Sequence, residues 1–298
     1  MDISIIIVNY NSKEITKSCI HSIINNTLDI SYEIIVVDNA SKDSSCEYLR
    51  EFFPSLKIIA NVENFGFAKA NNQGISIAKG TYILLLNSDT IVLDDCLKKT
   101  MKFAEGVADV GVIGCKVLNR DRTLQYSCYR NPGFVSELIF FSKGIVKDFW
   151  DPATWWKYMQ YWDHDSTRDV DCISGCFLMI KKEVVDKIGY IDENYFMYYE
   201  DSDFCRRVKN AGLKVKYYPN SRIIHLRGLS GDKTNFSTLK QCFASACYYI
   251  SKYQGKPASR VFWISCLLIF RIEQFVFLVL RINKKCAQKE KMLKSLIG

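Results

Sequence analysis

Short apolar segments alternate with amphipathic segments along the first part of the chain. The apolar segments are short and rich in β-branched residues, as expected for strands that are buried on both faces of a sheet. They are Ile3–Val8, Glu33–Val37, Leu56–Ala60, Tyr82–Leu86 and Val110–Gly114. The segments between the first four are compatible with helices. This alternation predicts an α/β fold, with a mostly parallel central sheet and helices on both faces.

Polar residues follow each of the first four predicted strands. The four endings read NYNS, DNAS, NVENFGF and NSDT. In open α/β sheets, ligands bind beyond the carboxyl ends of the strands. The four endings are therefore predicted to meet at one ligand-binding crevice.

A second organised block follows an irregular, aromatic region. Residues Ser174–Gly189 predict a strand and then a helix, and Tyr199–Pro219 predict a helix, a glycine cap at Gly212 and a strand. Ile223–Gly231 resembles another strand that leads into a glycine loop. The aromatic stretches Tyr129–Phe134 and Asp148–Asp165 either shield the core from solvent or form the wall of an acceptor site, since aromatic faces suit sugar rings and apolar chains.

Composition narrows the class of protein. The chain has 298 residues, of which 48% are hydrophobic and 24% charged, so it can bury a full core. Its twelve cysteines have no C-x-x-C spacing, which favours reduced thiols in a cytosol over disulfides or a zinc site. The N-terminus MDISIIIVNYNS lacks a basic region and a cleavage site, and it predicts a first strand instead of a signal peptide.

The net charge of +8 is concentrated at the C-terminus. Residues 281–298 hold six basic side chains and one acidic side chain, and they follow the apolar segment Val261–Lys285. A basic tail after an apolar segment favours a membrane surface over a nucleic acid as partner.

The apolar segment itself is interrupted by Arg271 and Glu273. Its longest uncharged run is far shorter than the ~20 residues that a membrane span requires. On a helix, Arg260, Arg271 and Arg281 fall within about 80° of one another, which predicts a helix lying in the headgroup plane. A core helix or a dimer helix is the alternative.

Several nucleotide-binding motifs are missing from the sequence. No G-x-G-x-x-G follows the first strand and no G-x-x-x-x-G-K-[ST] occurs, so dinucleotide oxidoreductases and P-loop ATPases lose their main support. A sugar-phosphate nucleotidyltransferase would need a glycine-rich basic loop after the first strand, and NYNSKE does not provide one.

Two carboxylates and a glycine loop are candidate ligands of the crevice. Asp38 either caps the next helix or accepts hydrogen bonds from a nucleobase or ribose. Asp89 could bind a divalent cation beside a diphosphate. The alternative, a cap for the helix after Asp94, is weaker because the burial of the strand would make an unpaired carboxylate costly. Gly66 permits a positive φ or a close backbone approach, and the helix N-terminus after it favours an anion such as a diphosphate.

Three acids and one histidine complete the candidates. The start of a helix accounts for one or two of Glu200, Asp201 and Asp203, and a partly desolvated carboxylate there could act as a general base. His225 is either a core residue or, if its strand ends near Asp89, a metal ligand.

Taken together, the ordered motifs resemble the family 2 inverting glycosyltransferases with the GT-A fold. The resemblance is strongest to the rhamnosyltransferase-like branch of bacterial surface polysaccharide assembly, and it covers roughly residues 3–231. The motifs are SIIIVNYNS, IIVVDNASKD, NFGFAKANNQGI, YILLLNSDT, SGCFLMIKKE, IDENYFMYYEDSDFCRRVKNAG and IIHLRGLSG. The resemblance implies a GT-A catalytic domain at residues 1–235, whose nucleotide-sugar half is 1–118 and whose acceptor half is 119–235. A helical, membrane-associated segment at 236–298 follows it.

The resemblance also implies roles for individual residues. The expected substrate-binding residues are Asn9, Asp38, Asn64, Gly66, Asn72, Asn87, Gly175 and Arg206. Asp89 and His225 are expected to bind Mn²⁺ or Mg²⁺, Asp201 to act as the general base, and Glu200 to lie beside it on the acceptor side. Asn87 replaces the first aspartate of the family's Asp-x-Asp element, which bears on the strength and choice of metal.

The implied reaction is transfer of a sugar, with inversion, from a dTDP- or UDP-sugar to a polyprenyl-linked saccharide. It would take place on the cytoplasmic face of the membrane, during synthesis of a surface polysaccharide. The alternative is a non-catalytic nucleotide-sugar or carbohydrate-binding module of the same fold. That module would need neither a base nor a metal site, so the joint presence of Asp38, Asp89, Asp201 and His225 argues against it.

Overall fold

The computed structural model of the chain describes residues 1–142, 152–226 and 236–280. The chain divides into two compact units. The first unit comprises Met1–Asn131 and Tyr158–Gly231, and the second comprises Pro132–Lys157 and Asp232–Gly298. A segment from the middle of the chain thus belongs with the C-terminal helices. The domain limits at residues 118 and 235 stay a prediction.

Twelve strands lie within the described residues. They are β1 (Ile3–Asn9), β2 (Tyr32–Asp38), β3 (Lys57–Ala60), β4 (Tyr82–Asn87), β5 (Thr90–Val92), β6 (Val110–Leu118), β7 (Leu124–Gln125), β8 (Cys128–Tyr129), β9 (Arg168–Asp169), β10 (Cys172–Ile173), β11 (Phe177–Lys181) and β12 (Lys214–His225). The five strands predicted in the first part of the chain are confirmed as β1, β2, β3, β4 and β6.

Ten helices lie within the same residues. They are α1 (Lys13–Asn25), α2 (Ser45–Phe52), α3 (Phe67–Ile77), α4 (Cys96–Glu105), α5 (Phe134–Ser142), α6 (Pro152–Lys157), α7 (Lys182–Ile188), α8 (Glu200–Asn210), α9 (Phe236–Gln254) and α10 (Lys256–Leu280). The predicted strand and helix of Ser174–Gly189 are confirmed as β11 and α7. The predicted glycine cap is confirmed too, since Gly212 has a φ of 81° just after α8.

The main sheet has the strand order β3-β2-β1-β4-β11-β6-β12-β5, with β7 paired to β6 and β9 to β12. Strands β3, β2, β1 and β4 are parallel to one another, whereas β11 is antiparallel to both of its neighbours. The sheet is therefore parallel from β3 to β4 and mixed beyond β4.

The prediction of a separate strand at Ile223 is wrong. Residues 214–225 form one strand, β12, whose pairing with β6 shifts register between Tyr218 and Arg222. Pro219 lies in this interval and cannot donate a ladder hydrogen bond, so the strand bulges there and then resumes. The predicted glycine loop after it, at 227–231, lies outside the described residues.

Helices cover both faces of the sheet, as the alternation predicts. Alternate residues of β1 point to opposite faces: Ile5 and Ile7 pack in one apolar cluster, and Ile6 in another. The first cluster includes residues of α1 and α4, and the second includes residues of α3 and α7. Burial on both faces explains why these strands are almost entirely apolar.

The second unit is helical and has an aromatic core. Phe141, Phe243, Phe262 and Phe270 are buried, and the rings of Phe243 and Phe262 stack with centroids 5.8 Å apart. Within residues 1–142, 152–226 and 236–280, no helix combines the length and the apolarity that crossing a bilayer requires.

Candidate active site

The carboxyl ends of the parallel strands meet at one edge of the sheet. Asn9 at the end of β1 is paired with Asp38 at the end of β2, and Val8 is paired with Asn87 at the end of β4. The polar residues that follow these strands are thus brought together, as predicted from the sequence.

The side chain of Asn9 is fully occupied within the protein. Its nitrogen donates to Asp38 Oδ1 (2.6 Å) and to Ser41 Oγ (3.0 Å). Its oxygen accepts hydrogen bonds from Ser12 Oγ (2.9 Å) and Thr16 Oγ1 (2.6 Å). The side chain of Asn9 therefore fixes the loops after β1 and β2. The predicted contact between a nucleobase and the backbone around Asn9 stays a prediction. Asp38 also accepts from Ser41 N–H (2.9 Å), and each of its oxygens keeps acceptor capacity for a ligand.

Gly66 has both properties predicted for it, but the group that approaches it belongs to the protein. Its φ is 84°, and a Cβ placed there would lie 2.5 Å from the carbonyl oxygen of Phe196. The next residue, Phe67, donates its N–H to that same oxygen (2.6 Å). Asn64 Oδ1 accepts from the Gly66 N–H (2.9 Å), so this asparagine shapes the turn. The glycine thus lets the loop before α8 pack against the loop before α3.

Asn72 anchors the same loop. Its nitrogen donates to Ile191 O (2.8 Å) and Glu193 Oε1 (2.9 Å), and its oxygen accepts from Ile191 N–H (3.0 Å). Both amide protons are used, and only 7% of the residue is exposed. Asn72 therefore braces the loop that leads into α8, and its predicted place in the lining of the nucleotide half stays a prediction.

Asp89 and His225 lie side by side. Strand β5 runs antiparallel to β12 and pairs Thr90 with His225, so the residue before Thr90 meets the histidine ring. His225 Nε2 is 3.1 Å from Asp89 Oδ1, and Asp89 is 1% exposed. The sequence predicts a ligand role for His225 if its strand ends near Asp89, and β12 does end there.

The chemistry of this pair suits a divalent cation. A carboxylate oxygen and an imidazole nitrogen are both ligands of Mn²⁺, and of Mg²⁺ to a smaller extent. The described part of the chain has no cluster of three or more His, Cys, Asp or Glu around a common point. Such a cation would therefore take further ligands from a bound diphosphate and from water, as Mg²⁺ sites with one or two carboxylates do.

Asp201 is held in the first turn of α8. Its Oδ2 accepts the backbone N–H of Gly175 (2.9 Å), and its Oδ1 accepts that of Ser202 (2.7 Å). Burial raises the pKa of Asp201, and these N–H donors act in the opposite direction. Gly175 thus serves Asp201 through its backbone, and the carboxylate is oriented as a general base requires.

A short stretch of backbone connects Asp201, the candidate base, to Asp89 and His225, the candidate cation ligands. Asn87 N–H donates to Cys176 O (3.1 Å), and the residue before Cys176 is the Gly175 that holds Asp201. On its other side, Asn87 Nδ2 lies 3.4 Å from His225 Nε2. The candidate base and the candidate ligands therefore flank Asn87 at one end of β4.

The chain also matches a known protein family. The sequence model of the family "Glycosyl transferase family 2" matches residues 4–189, more than half of the chain. The chain belongs to glycosyl transferase family 2.

Two curated relatives align with this glycosyltransferase over most of its length. It is 27% identical over 246 residues to the low-salt glycan biosynthesis hexosyltransferase Agl10 of Haloferax volcanii, covering 81% of this chain and 72% of the relative. It is 28% identical over 230 residues to the rhamnosyltransferase WbbL of Escherichia coli, covering 74% and 82%.

A more distant relative and a solved structure complete the comparison. The N-acetylglucosaminyl-diphospho-decaprenol L-rhamnosyltransferase of Mycobacterium tuberculosis is 22% identical over 64% of this chain and 66% of its own length. The crystal structure of GalNAc-T7 with UDP, GalNAc and Mn²⁺ matches with a TM-score of 0.60 and 18% identity. The match covers 88% of this chain and 51% of that chain, and it confirms the GT-A-like fold.

Several aromatic rings lie near Asp201 in the first unit of the glycosyltransferase. The ring of Tyr129 meets that of Tyr158 edge to face at 5.3 Å, and Arg130 donates to Tyr161 Oη (2.9 Å). Burial raises the pKa of Tyr129, and the negative charge of Asp201 acts in the same direction. Half-buried rings thus lie on the same side of the site as Asp201. Other rings of the region, such as Trp162, stack on the buried His164 and belong to the core.

The remaining candidates of the glycosyltransferase have different surroundings. Asp203 is fully buried and accepts from Arg207 Nε (2.8 Å), so its role is structural. Arg206 is half-buried in the second turn of α8, and its predicted substrate contact stays a prediction. No sequence motif points to Gln125, a residue of the short strand β7 whose Oε1 lies 2.7 Å from His225 Nδ1.

Glu200 is a buried acid beside the base. It is 6% exposed, and within the described residues its Oε2 has no hydrogen-bond partner. Burial and the charge of Asp201 raise the pKa of Glu200 well above its usual range. Glu200 is thus protonated at pH values where exposed glutamates are ionised.

Glu200→Gln is expected to stabilise the folded protein at pH 8 and to change its stability little at pH 5. Because the folded pKa is raised, the native state binds more protons than the unfolded state, so wild-type stability falls as pH rises above the ordinary glutamate pKa. Glutamine removes this loss. Thermal melts at the two pH values measure the effect, with Glu183→Gln on the exposed surface of α7 as control. Equal behaviour of the two variants would contradict the raised pKa.

Proposed function

We propose that this glycosyltransferase moves a sugar from a nucleotide-diphosphate donor, with inversion, to a hydroxyl of a lipid-linked saccharide. The donor class is a dTDP- or UDP-sugar, with rhamnose as one candidate sugar, and the product belongs to a cell-surface polysaccharide. The observation that carries the proposal is the placement of Asp201 on one side of Asn87, and of Asp89 and His225 on the other.

This placement suits a single displacement at an anomeric carbon. Asp201 accepts the proton of the attacking hydroxyl, and its position is maintained by Gly175 and Ser202. Asp89 and His225 would hold a Mn²⁺ or Mg²⁺ ion, which would stabilise the negative charge of the leaving nucleotide. One displacement without a covalent enzyme intermediate inverts the anomeric configuration.

The names of the relatives support the substrate classes. Two of the three relatives described above are rhamnosyltransferases, and the name of one specifies a diphospho-decaprenol acceptor. The similar crystal structure of GalNAc-T7 contains UDP and Mn²⁺. Together they support a nucleotide-activated donor, a cation and a polyprenyl-linked acceptor for this chain.

A panel of nucleotides tests the proposal. Thermal shifts are measured with UDP, dTDP, GDP and CMP, each with and without Mn²⁺ or Mg²⁺. A nucleotide at a hundred times its dissociation constant adds about 2.7 kcal/mol to the free energy of unfolding. We expect one pyrimidine diphosphate to stabilise the protein in a metal-dependent way, and the matching nucleotide sugars then to support transfer. Stabilisation by none of the nucleotides would contradict the proposal and favour a carbohydrate-binding module.

We further propose a peripheral contact with the cytoplasmic face of the membrane through helix α10. Its residues Val261, Ile264, Leu268 and Ile272 are each 50% or more exposed, while Phe262, Cys266 and Phe270 on the other face are buried. Arg260 and Arg271 are also exposed and lie next to the exposed apolar stripe at helical spacing. An apolar stripe edged by arginines matches the boundary between headgroups and acyl chains of an anionic bilayer. The predicted basic tail, 281–298, lies outside the described residues.

The double variant Ile264→Glu/Leu268→Glu is expected to lose binding to vesicles. Carboxylates on this stripe would have to enter the acyl boundary of an anionic surface. Co-sedimentation with phosphatidylcholine vesicles containing phosphatidylglycerol measures the effect. Val62→Glu is the matched control, because Val62 is an exposed apolar residue of the first unit. Unchanged sedimentation of the double variant would contradict the role of α10 and leave a dimer or core helix as its function.

A further inference from the structure

We propose that Gln125 is a positioning residue for the cation site. Its amide oxygen holds the imidazole of His225 in the tautomer whose Nε2 lone pair faces Asp89. This inference rests on the proposed function in one respect, the assignment of Asp89 and His225 as cation ligands. It adds a residue of strand β7 to which the sequence motifs assign no role.

Gln125 lies near His225 because their strands, β7 and β12, both pair with β6. Strand β7 pairs with β6 and places Gln125 opposite Val117. The side chain is buried, with 3% of the residue exposed, and Oε1 lies 2.7 Å from His225 Nδ1. Gln125 is therefore shielded from solvent and acts on the ring of His225 directly.

The orientation of the Gln125 amide follows from its other contacts. Its Nε2 donates to the backbone oxygen of His225 (3.0 Å) and to Asn119 Oδ1 (2.8 Å). Asn119 is oriented in turn, because its Nδ2 donates to Thr123 Oγ1 (2.9 Å) and Leu124 O (3.2 Å). A flipped Gln125 amide would place its oxygen against two other oxygens. The unflipped amide satisfies every one of these groups.

The amide orientation decides the tautomer of His225. An amide oxygen accepts hydrogen bonds and cannot donate them, so when the ring carries a single proton, that proton lies on Nδ1. Nε2 then carries the lone pair, 3.1 Å from Asp89 Oδ1 and 3.4 Å from Asn87 Nδ2. Histidines that bind metals typically donate the other ring N–H to an oxygen acceptor, which fixes the ring and its tautomer. Gln125 supplies that acceptor.

The backbone contact adds a second function. Because Gln125 Nε2 binds the carbonyl of His225 while Oε1 binds its ring, one amide fixes both the end of β12 and the rotation of the side chain. Loss of the amide would free the ring to rotate and to exchange tautomers. Loss of such a partner typically lowers metal affinity 10- to 100-fold.

Three variants test the inference in the full-length protein. Gln125→Met keeps the length of the side chain and removes its hydrogen bonds. Gln125→Glu keeps an acceptor for Nδ1–H and removes the donor to Asn119 Oδ1 and to the His225 carbonyl, so it isolates the contact with the ring. Gln73→Met is the matched control, because Gln73 lies on α3, away from His225, and forms a similar pair of amide hydrogen bonds with Asn61.

Two measurements are made on each folded variant. Nitrogen-15 NMR of the ring nitrogens reports the tautomer without any metal, and only three histidines need assignment, with His225→Asn identifying the signal. Electron paramagnetic resonance with Mn²⁺ and UDP reports the dissociation constant of the ion. We expect Gln125→Met to give a mixed tautomer and a 10- to 100-fold higher dissociation constant, and Gln125→Glu to keep the Nδ1–H tautomer. Gln73→Met should match the wild type in both measurements.

The outcomes separate this inference from the proposed function. A Gln125→Met variant that keeps the wild-type tautomer would overturn the positioning role, whatever its metal affinity. A wild-type protein that does not bind Mn²⁺ would contradict the cation site of the proposed function, and the tautomer of Gln125→Met would still decide whether Gln125 orients His225. If a melting curve shows that Gln125→Met is unfolded, the tautomer of Gln125→Glu decides: retention supports the inference, and its loss overturns it.

Discussion

Asp201→Asn is expected to lower the rate of sugar transfer by about 10²- to 10⁴-fold, the usual effect of removing a general base. Nucleotide binding should persist, because Asp201 lies on the acceptor side, whereas the proposed diphosphate lies on the side of Asp89. The asparagine oxygen can accept only one of the N–H groups of Gly175 and Ser202, so a melting curve of the variant accompanies the rates. Initial rates and nucleotide titrations of the same protein separate the two effects.

The control for this variant is Asp186→Asn, an exposed aspartate on α7. The pH dependence offers a second test. Because burial raises the pKa of Asp201, wild-type activity should fall on the acid side at a pH above the usual range of aspartate. Transfer by Asp201→Asn within about tenfold of the wild type would contradict the assignment of the base and leave the family membership untouched.

Asp89→Asn is expected to abolish the metal dependence of nucleotide binding. The carboxylate is 1% exposed and faces His225, so asparagine keeps the shape of the side chain and removes the charge that attracts a cation. A bound cation contributes several kcal/mol to charge stabilisation, so transfer should fall by at least about 100-fold. Binding measured without metal should change little.

Isothermal titration of the nucleotide with and without Mn²⁺ measures this effect. The matched control is Asp94→Asn, which removes a surface carboxylate paired with Arg222 at 2.5 Å. If Mn²⁺ strengthened nucleotide binding equally in the wild type and in Asp89→Asn, Asp89 would not be a ligand. That result would also remove the premise of the cation site beside Gln125, although it would not change the tautomer of His225.

Short-range patterns in the sequence determine which segments of the first half of the chain form strands. The run Tyr82–Leu86 is apolar throughout because the strand is covered on both faces. This apolar run is sufficient to identify β4 from the sequence. The polar residues that follow it are placed by the rule that parallel strands end at one edge. The location of the candidate site and the identities of Asp89 and Asp201 as its candidate carboxylates therefore follow from the sequence.

Long-range packing decides what each side chain does there. A positive φ and a close approach at Gly66 are predictable, but the approaching group, Phe196, is 130 residues away and no local pattern specifies it. The occupation of Asn9 and Asn72 by internal hydrogen bonds has the same cause. Their amides look like ligands in the sequence because amides serve both purposes equally well.

His225 shows most clearly what the sequence determines and what the tertiary structure decides. The sequence of β12 leaves His225 either in the core or at a metal, since an isolated histidine between apolar residues is compatible with both. Only the antiparallel pairing of β5 with β12 brings its ring to Asp89, and only β7 brings Gln125 to the other ring nitrogen. The sequence by itself thus determined the fold, the family and the chemical groups of the site. The tertiary structure decided which atoms of those groups face one another, because strand pairing joins residues that are distant along the chain.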